Sequence, residues 1–132
     1  MSHIAERTHV PTSAPWAATA GYSRAVRAGN VISVSGTASV AEDGSIAHPG
    51  DPYRQTLRCL EIITDALGRL GAGVEHVVRT RMYVRDRSDW EAVGRAHGEV
   101  FGGVRPATTM VFTGLIDEAM LVEVEADAVV DG

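Results

Sequence analysis

The segment LVEVEADAVV, residues 121–130, is the feature that most constrains how this chain can fold. From residue 122 to residue 128, apolar and acidic residues alternate at every position. A period of two places successive side chains on opposite faces of a β-strand. The segment therefore predicts a strand in a sheet that has one buried face and one acidic face.

Three more segments have the properties of strands in this sheet. In YSRAVRAGNVISVSGTASV, the pair Gly29–Asn30 separates two alternating halves, which is typical of a hairpin. In its second half one parity holds Ile32, Val34 and Ala38, and the other holds Ser33, Ser35 and Thr37. In VVRTRMYVRD one parity holds Val78, Thr80, Met82 and Val84, and the other holds Arg79, Arg81 and Tyr83. The segment ATTMVFTGL predicts a further strand, and Gly36 indicates a bulge or a close backbone approach.

Two segments have the period of amphipathic helices. The first begins at Asp51–Pro52, an N-cap residue followed by the proline that suits a first helical position, and Gly71 ends it. Its apolar stripe is Leu57, Leu60, Ile63, Leu67 and Leu70. The second is SDWEAVGRAHGEVFG, where Ser88 and Glu91 have the spacing of a capping box and Gly102–Gly103 ends the helix. Its predicted stripe is Trp90, Val93, His97 and Phe101.

The resulting order is β-β-α-β-α-β-β, preceded by an N-terminal arm, residues 1–20, with room for one short strand. The 132 residues suit a single domain, 1–132. We predict an α+β fold in which two helices cover the apolar face of a mixed β-sheet.

Composition narrows the classes of function. The net charge of −5 argues against a nucleic-acid-binding surface, which needs a basic face. No apolar stretch approaches the roughly 20 residues of a membrane span, and the first residues lack the apolar core of a secretory signal. Cys59 is the only cysteine, so an intrachain disulfide is impossible and a cytoplasmic location is expected.

The histidine, cysteine and serine residues show no spacing that identifies a metal site or a catalytic nucleophile. The five histidines have no H-x-x-x-H spacing and no cysteine pair, so we expect no metal site. His97 lies on a helical stripe, either as a packed histidine or as a pocket residue. We expect Cys59 to be a buried small hydrophobe, and Ser35 lacks the G-x-S-x-G pattern of a nucleophile elbow.

The polar face of the predicted sheet carries both charge signs, which favours self-association. It holds Ser33, Ser35, Thr37, Arg79, Arg81, Glu123, Glu125 and Asp127. A site between subunits would place a carboxylate such as Glu123 in a sheltered cleft, where neighbouring acids raise its pKa and fit it for proton exchange. The alternative is a solvated face on which these acids pair with Arg79 and Arg81.

From about Gly21 to its C-terminus the chain resembles the RidA/YjgF-like family of enamine/imine deaminases. The matching segments are GYSRAVRAGNVISVSG, VVRTRMYVRDRSDWEAV, RPATTMV and VEVEADAVV. The resemblance implies a chorismate-mutase-like fold and homotrimers with ligand pockets between subunits. It also implies hydrolysis of reactive enamines or imines, such as 2-aminoacrylate, to a keto compound and ammonia, with no cofactor or metal.

By the same resemblance, Tyr22 matches the pocket tyrosine and Glu123 the glutamate that positions the attacking water. Ser35 and Gly36 match the family's strand serine and glycine. The arginine that clamps the substrate carboxylate is replaced by Thr108. Thr109 shares the parity of Val111 and Thr113, so Thr108 and Thr109 are alternative candidates to line the substrate pocket. An expected asparagine falls on Gly94, and a usual tyrosine falls on His97.

Two hypotheses follow. In the first, the protein is a hydrolase of altered substrate scope, in which Arg24, or failing that Arg105, replaces the clamp. Arg24 shares strand parity with Tyr22, but either arginine alone is also explained as a solvated surface residue. In the second, the trimer is a non-catalytic protein that binds a small metabolite or acts through protein contacts in regulation.

Overall fold

The computed structural model describes residues 6–131, which form one mixed sheet of six strands with helices on one side. The strands are β1 (Arg7–Val10), β2 (Ala25–Ala28), β3 (Val31–Ala38), β4 (Val77–Val84), β5 (Ala107–Phe112) and β6 (Val122–Val129). The helices are the short α1 (Ala17–Ala20), then α2 (Pro52–Arg69) and α3 (Trp90–Phe101). The order across the sheet is β1-β2-β3-β6-β4-β5, and only β4 and β5 pair in parallel. The predicted fold class is confirmed, and the arm adds β1 and α1.

The predicted hairpin is present, with Gly29 at φ 61° in its turn, but β3 does not alternate throughout. The pairing with β6 shifts between Val34 and Thr37, and Gly36 lies in this bulge. The prediction that Thr37 lies on the polar face is wrong, because the shift turns its fully buried side chain towards the core.

A second register shift corrects one residue of β4. The pairing with β6 shifts between Val77 and Arg79, so Val77 is buried and Val78 is 50% exposed. The prediction that Val78 lies on the apolar face is therefore wrong. From Thr80 onwards the predicted alternation holds.

Helix α2 begins and ends as predicted. The side chain of Asp51 accepts a hydrogen bond from the backbone N–H of Arg54, Pro52 is the first helical residue, and Gly71 follows the helix at φ 81°. Its buried residues include Leu60, Ile63 and Leu67 of the predicted stripe, together with Gln55, Thr56, Cys59 and Ala66.

Helix α3 begins later than predicted. A 3₁₀ turn spans Arg87–Asp89 and contains Ser88, and the helix starts at Trp90 without a side-chain cap. The predicted capping box is therefore wrong, because the chain is still in the turn at Ser88. Trp90 is 53% exposed and does not belong to the buried stripe, which consists of Val93, Ala96 and Phe101.

The core lies between the sheet and the two long helices. Helix α2 packs on β3 and β6 and against α3. The opposite face of the sheet carries half-buried polar side chains and has no covering layer among residues 6–131. Within the same range, no helix combines the length and apolarity needed to cross a membrane.

Candidate functional site

The bulge in β3 and the adjacent strand β6 place the Glu123 carboxylate directly over Gly36. A Cβ built at residue 36 would overlap Oε1 of Glu123 and would lie 3.1 Å from its Cδ. Gly36 is not among the residues with positive φ, so the space above it, rather than its backbone angle, is what requires a glycine. The sequence prediction of a bulge or a close approach at Gly36 is confirmed, since both occur.

Glu123 is distinguished from the two other acids on the same face of β6 by its lack of partners. The Glu125 carboxylate accepts hydrogen bonds from the Tyr83 hydroxyl at 2.9 Å and from the Arg81 guanidinium at 3.4 Å. Asp127 accepts from Arg81 at 3.2 Å and from the Ser33 hydroxyl at 3.0 Å. Among residues 6–131, the carboxylate of Glu123 makes no hydrogen bond or ion pair. The solvated, paired interpretation therefore describes Glu125 and Asp127 and not Glu123.

The surroundings of Glu123 favour its protonated form. Partial burial raises the pKa of its carboxyl group above the ordinary 4.5, and the nearby charge of Glu125 acts in the same direction. The positive charge of Arg24 opposes both effects. The Glu123 carboxyl group therefore exchanges its proton at a higher pH than the carboxyl group of a solvated glutamate does.

Arg24 is tied to the same bulge. Its guanidinium donates to the carbonyl of Gly36 at 2.8 Å and to the Thr37 hydroxyl at 3.1 Å, and its buried Nε has no hydrogen-bond partner among the described residues 6–131. Burial lowers the pKa of Arg24. Arg24 is therefore hydrogen-bonded to Gly36, the residue that the Glu123 carboxylate overlies, and is not a solvated surface arginine.

Tyr22 and Ser35 lie together in an open groove of about 470 Å³ on the polar face of the sheet. Gly21, which adopts φ 73° at the end of α1, turns the chain into Tyr22. The Ser35 hydroxyl donates to the carbonyl of Ser23 at 2.7 Å and holds this segment against β3. The other groove residues are Val26, Ser33, Val34, Arg81, Glu125 and Asp127.

The two threonines that replace the expected clamp point in different directions. Thr109 accepts a hydrogen bond from the guanidinium of Arg79 at 2.7 Å and pairs in register with Arg81 on the polar side. Thr108 pairs with Thr80, and their hydroxyl oxygens are 2.8 Å apart. Nε2 of His97 lies 2.8 Å from the same Thr80 oxygen. Thr108 and His97 therefore belong to one cluster at the β5 edge of the sheet.

Within one chain the predicted site residues thus form two separate groups. One group surrounds the β3 bulge and contains Tyr22, Arg24, Ser35 and Glu123. The other lies at β5, which is separated from β6 by β4. Arg105, the second candidate to replace the clamp, precedes β5 in an exposed position with φ 57°.

Sequence reasoning missed Thr80 as a polar member of the β5 group. It occupies the apolar parity of β4, and a threonine at that parity was the available signal. Its register with Thr108 is set by the folded sheet. Among residues 6–131, no group of three or more His, Cys, Asp or Glu side chains is arranged to hold a metal ion.

The fold and site together define a small α+β protein. Within the part of the chain that the structure describes, one sheet face is uncovered and carries a half-buried carboxylate without a hydrogen-bonding partner. A family model described as "Endoribonuclease L-PSP" matches residues 12–130, almost the whole chain. The chain belongs to this family, which is the YjgF/RidA family.

Individual relatives agree with this assignment. The chain is 42% identical over 120 residues to "Uncharacterized protein SCO2049" of Streptomyces coelicolor, covering 90% of this chain and 89% of that protein. It is 32% identical over 109 residues to "3-aminoacrylate deaminase RutC" of Acinetobacter baylyi, covering 83% and 86%. The crystal structure of Rv2704 of Mycobacterium tuberculosis, a member of the "YjgF/YER057c/UK114 family", superposes with a TM-score of 0.84 at 43% identity. That superposition covers 95% of this chain and all of the other.

Proposed function

We propose that this protein hydrolyses a reactive enamine or imine to a keto compound and ammonia, with Glu123 orienting the attacking water. The observation that carries the proposal is the position of the Glu123 carboxylate, which is half-buried, free of partners and held over Gly36. The family and the deaminase named among its relatives support the reaction class. The proposal includes a cytoplasmic location, which suits intermediates released by pyridoxal-phosphate enzymes.

The chemistry requires one group that exchanges protons. An enamine first takes a proton from solvent on carbon and becomes an iminium ion. Water held by Glu123 then adds to the iminium carbon, and the carboxylate accepts the proton that the water releases, which gives a carbinolamine. The same proton passes to the carbinolamine nitrogen, the C–N bond breaks, and the hydroxyl proton returns to solvent, so that the products are a carbonyl compound and ammonia. The raised pKa of Glu123 suits both directions of this transfer.

A complete cleft requires more than one copy of the chain. The bulge group and the β5 group are separated by β4 in one subunit, so Thr108 or Thr109 meets Glu123 only if a neighbouring subunit supplies it. We propose a homotrimer with three such clefts, each lined by Tyr22, Ser35 and Glu123 of one subunit. In this arrangement the uncovered polar face of the sheet lies at the subunit contacts.

The test is to generate 2-aminoacrylate with a serine dehydratase and to follow its loss with and without the protein. We expect acceleration by the wild type and its loss in Glu123→Gln, which keeps the shape of the side chain but cannot accept a proton. Glu61→Gln, on the exposed side of α2, is the matched control and should retain full activity. An active Glu123→Gln protein would exclude the role assigned to Glu123.

Thr108 stands where the family has its carboxylate-binding arginine. This difference favours a second candidate function, that of a trimer which binds a small metabolite without hydrolysing it. A hydroxyl gives one neutral hydrogen bond, worth about 1 kcal/mol, where a charged bidentate pair gives more. This second candidate would be selected if the protein did not accelerate the hydrolysis of 2-aminoacrylate or of any imine but bound a small carbonyl compound saturably. RNA cleavage is not proposed despite the family's description, because the net charge of −5 and the acids of the sheet face oppose phosphate binding.

A further inference from the structure

Three side chains at the β5 edge form a continuous chain of hydrogen bonds. Nε2 of His97 is 2.8 Å from the hydroxyl oxygen of Thr80, which is 2.8 Å from that of Thr108. The Thr108 hydroxyl is also placed to donate to the carbonyl of Pro106 at 3.1 Å. Thr80 is fully buried, His97 is half-buried and Thr108 is exposed. The chain therefore links the interior of the α3 layer to the surface of β5.

Each hydroxyl in this chain has one proton, so the directions of its hydrogen bonds depend on one another. If Thr108 donates to Pro106, Thr80 is free to donate to Thr108, and His97 must then donate from Nε2. If Thr108 instead donates to Thr80, Thr80 donates to His97, and Nε2 must be unprotonated. The tautomer of the His97 imidazole therefore determines the direction in which the exposed Thr108 hydroxyl donates, and the reverse also holds.

The groups that contact Thr108 in this unit are uncharged. The neighbouring cation, Arg79, donates to Thr109 on the opposite side of β5. Burial lowers the pKa of His97, which keeps the imidazole neutral near pH 7. A ligand carboxylate at Thr108 would lose its hydration and gain only one neutral hydrogen bond, which does not offset the cost of desolvating a charge. An uncharged carbonyl oxygen or imine nitrogen costs less to desolvate, and one such hydrogen bond satisfies it.

We propose that His97 is a positioning residue that sets, through Thr80, the direction of the Thr108 hydroxyl, and that this hydroxyl binds an uncharged oxygen or nitrogen of the substrate. The preferred substrate class is then a neutral imine, ahead of substrates such as 2-aminoacrylate that bear a carboxylate next to the reacting carbon. The inference rests on the proposed function, which brings Thr108 into the cleft.

The kinetic test compares the rates of hydrolysis of two imines that are generated in situ. A flavin-dependent amine oxidase acting on butylamine gives a neutral imine, and an L-amino acid oxidase acting on leucine gives a 2-imino acid. The wild type should favour the neutral imine in kcat/KM. Thr80→Val and Thr108→Val should each raise KM for it about threefold to tenfold, the effect of one neutral hydrogen bond, with little change in kcat.

Matched variants separate positioning from damage to the fold. Thr80→Ser keeps the hydroxyl and should restore the wild-type KM. Thr64→Val removes a hydroxyl that bonds only its own helix, at the carbonyl of Leu60, and should have no effect. The double variant Thr80→Val/Thr108→Val should be no worse than either single variant, because the two residues act as one unit.

A second readout does not depend on turnover. The ring nitrogen chemical shifts of His97 report its tautomer, and both Thr80→Val and Thr108→Val should change them while Thr64→Val does not. Unchanged shifts and unchanged KM in the threonine variants would overturn this inference while the hydrolase proposal stands, as would a wild-type preference for the 2-imino acid. Failure of the wild type to hydrolyse either imine, with shifts that respond as expected, would instead overturn the hydrolase proposal.

Discussion

At the scale of single residues, a half-buried carboxylate without a partner lowers the stability of the fold whenever it is ionised. Glu123 is such a group, and its pKa in the folded protein lies above the ordinary 4.5. A raised carboxyl pKa means that the folded state binds the proton more tightly than the unfolded chain. The stabilisation is therefore fully present below the unfolded pKa and is lost as the pH rises through the folded pKa.

We accordingly predict that Glu123→Gln increases the free energy of unfolding near pH 7, that this gain shrinks as the pH falls through the raised folded pKa, and that it is gone below the ordinary value of about 4.5. Urea denaturation of both proteins at several pH values, at one fixed protein concentration, measures the difference. Glu61→Gln, whose carboxylate is exposed, should show no such pH-dependent gain. A Glu123→Gln protein that is less stable than the wild type at neutral pH would contradict the assigned environment.

A second prediction concerns Gly36. In Gly36→Ala the new methyl group would overlap the Glu123 carboxylate, which must swing away because the neighbouring backbone of the sheet cannot. A displacement of this size in a catalytic group reduces activity by about 100-fold, whereas we expect a loss of stability of only about 1–3 kcal/mol. Imine hydrolysis and urea denaturation measure the two effects.

The control for this change is Gly98→Ala, because an added Cβ at that exposed position of α3 meets nothing within 4 Å. It should keep activity and gain about 0.5–1 kcal/mol from improved helix propensity. Equal loss of activity in both variants would show that Gly36 has no special relation to Glu123.

At the scale of secondary-structure elements, the buried side chain of Gln55 joins α2 to the loop before β6. Its amide nitrogen donates to the carbonyls of Ala119 and His48 at 3.0 and 3.3 Å, and its oxygen accepts from the backbone N–H of Leu121 at 2.9 Å. The bond to Leu121 satisfies a buried backbone N–H, and the three bonds together fix the loop from which β6 starts, one residue before Glu123.

We predict that Gln55→Leu lowers the free energy of unfolding by about 1–3 kcal/mol or more, because at least the N–H of Leu121 is left buried and unpaired. Chemical denaturation measures this loss. Thr64→Val on the same helix should change stability by no more than about 0.5 kcal/mol, since Thr64 is exposed. A neutral Gln55→Leu would mean that the loop finds other partners.

The same elements show how much of the fold the sequence could predict. Alternation identified β3, β4 and β6, and the 3.6 period with Asp51 and Gly71 identified α2. The errors at Thr37 and Val78 share one cause: a register shift in β3 and in β4 reverses the face on which a residue lies. Periodicity cannot predict such a shift, because it depends on pairing with β6, which is distant in sequence.

The candidate site was predictable only in part for a similar reason. Glu123 and Gly36 were identifiable by resemblance and by residue type, but their contact depends on the bulge. Three acids alternate on β6, and nothing local in the sequence indicates that Arg81 pairs with Glu125 and Asp127 while Glu123 stays free. The hydrogen bonds from Arg24 to the bulge likewise join residues that only the folded sheet brings together.

At the scale of the whole molecule, no layer formed by residues 6–131 covers one face of the sheet. That face combines the polar groove with an exposed apolar residue at the β5 edge, Val111, which is 41% exposed. Parity places Val111 on the same side as Thr109 and Tyr83. An edge strand with this composition is suited to pairing with another copy of the chain, which agrees with the proposed trimer.

The final prediction tests the assembly and the site together. Wild-type protein should sediment as a trimer, and Val111→Glu, which places a charge on the proposed contact face in register with Tyr83, should shift it towards the monomer. Imine hydrolysis should fall in parallel, because the Glu123 cleft would lose the neighbouring subunit that encloses it. Thr64→Glu adds the same charge on the outer side of α2 and should leave both mass and activity unchanged. A monomeric wild type that still hydrolyses imines would show that Glu123 works without a neighbouring subunit, and the inter-subunit cleft would have to be abandoned.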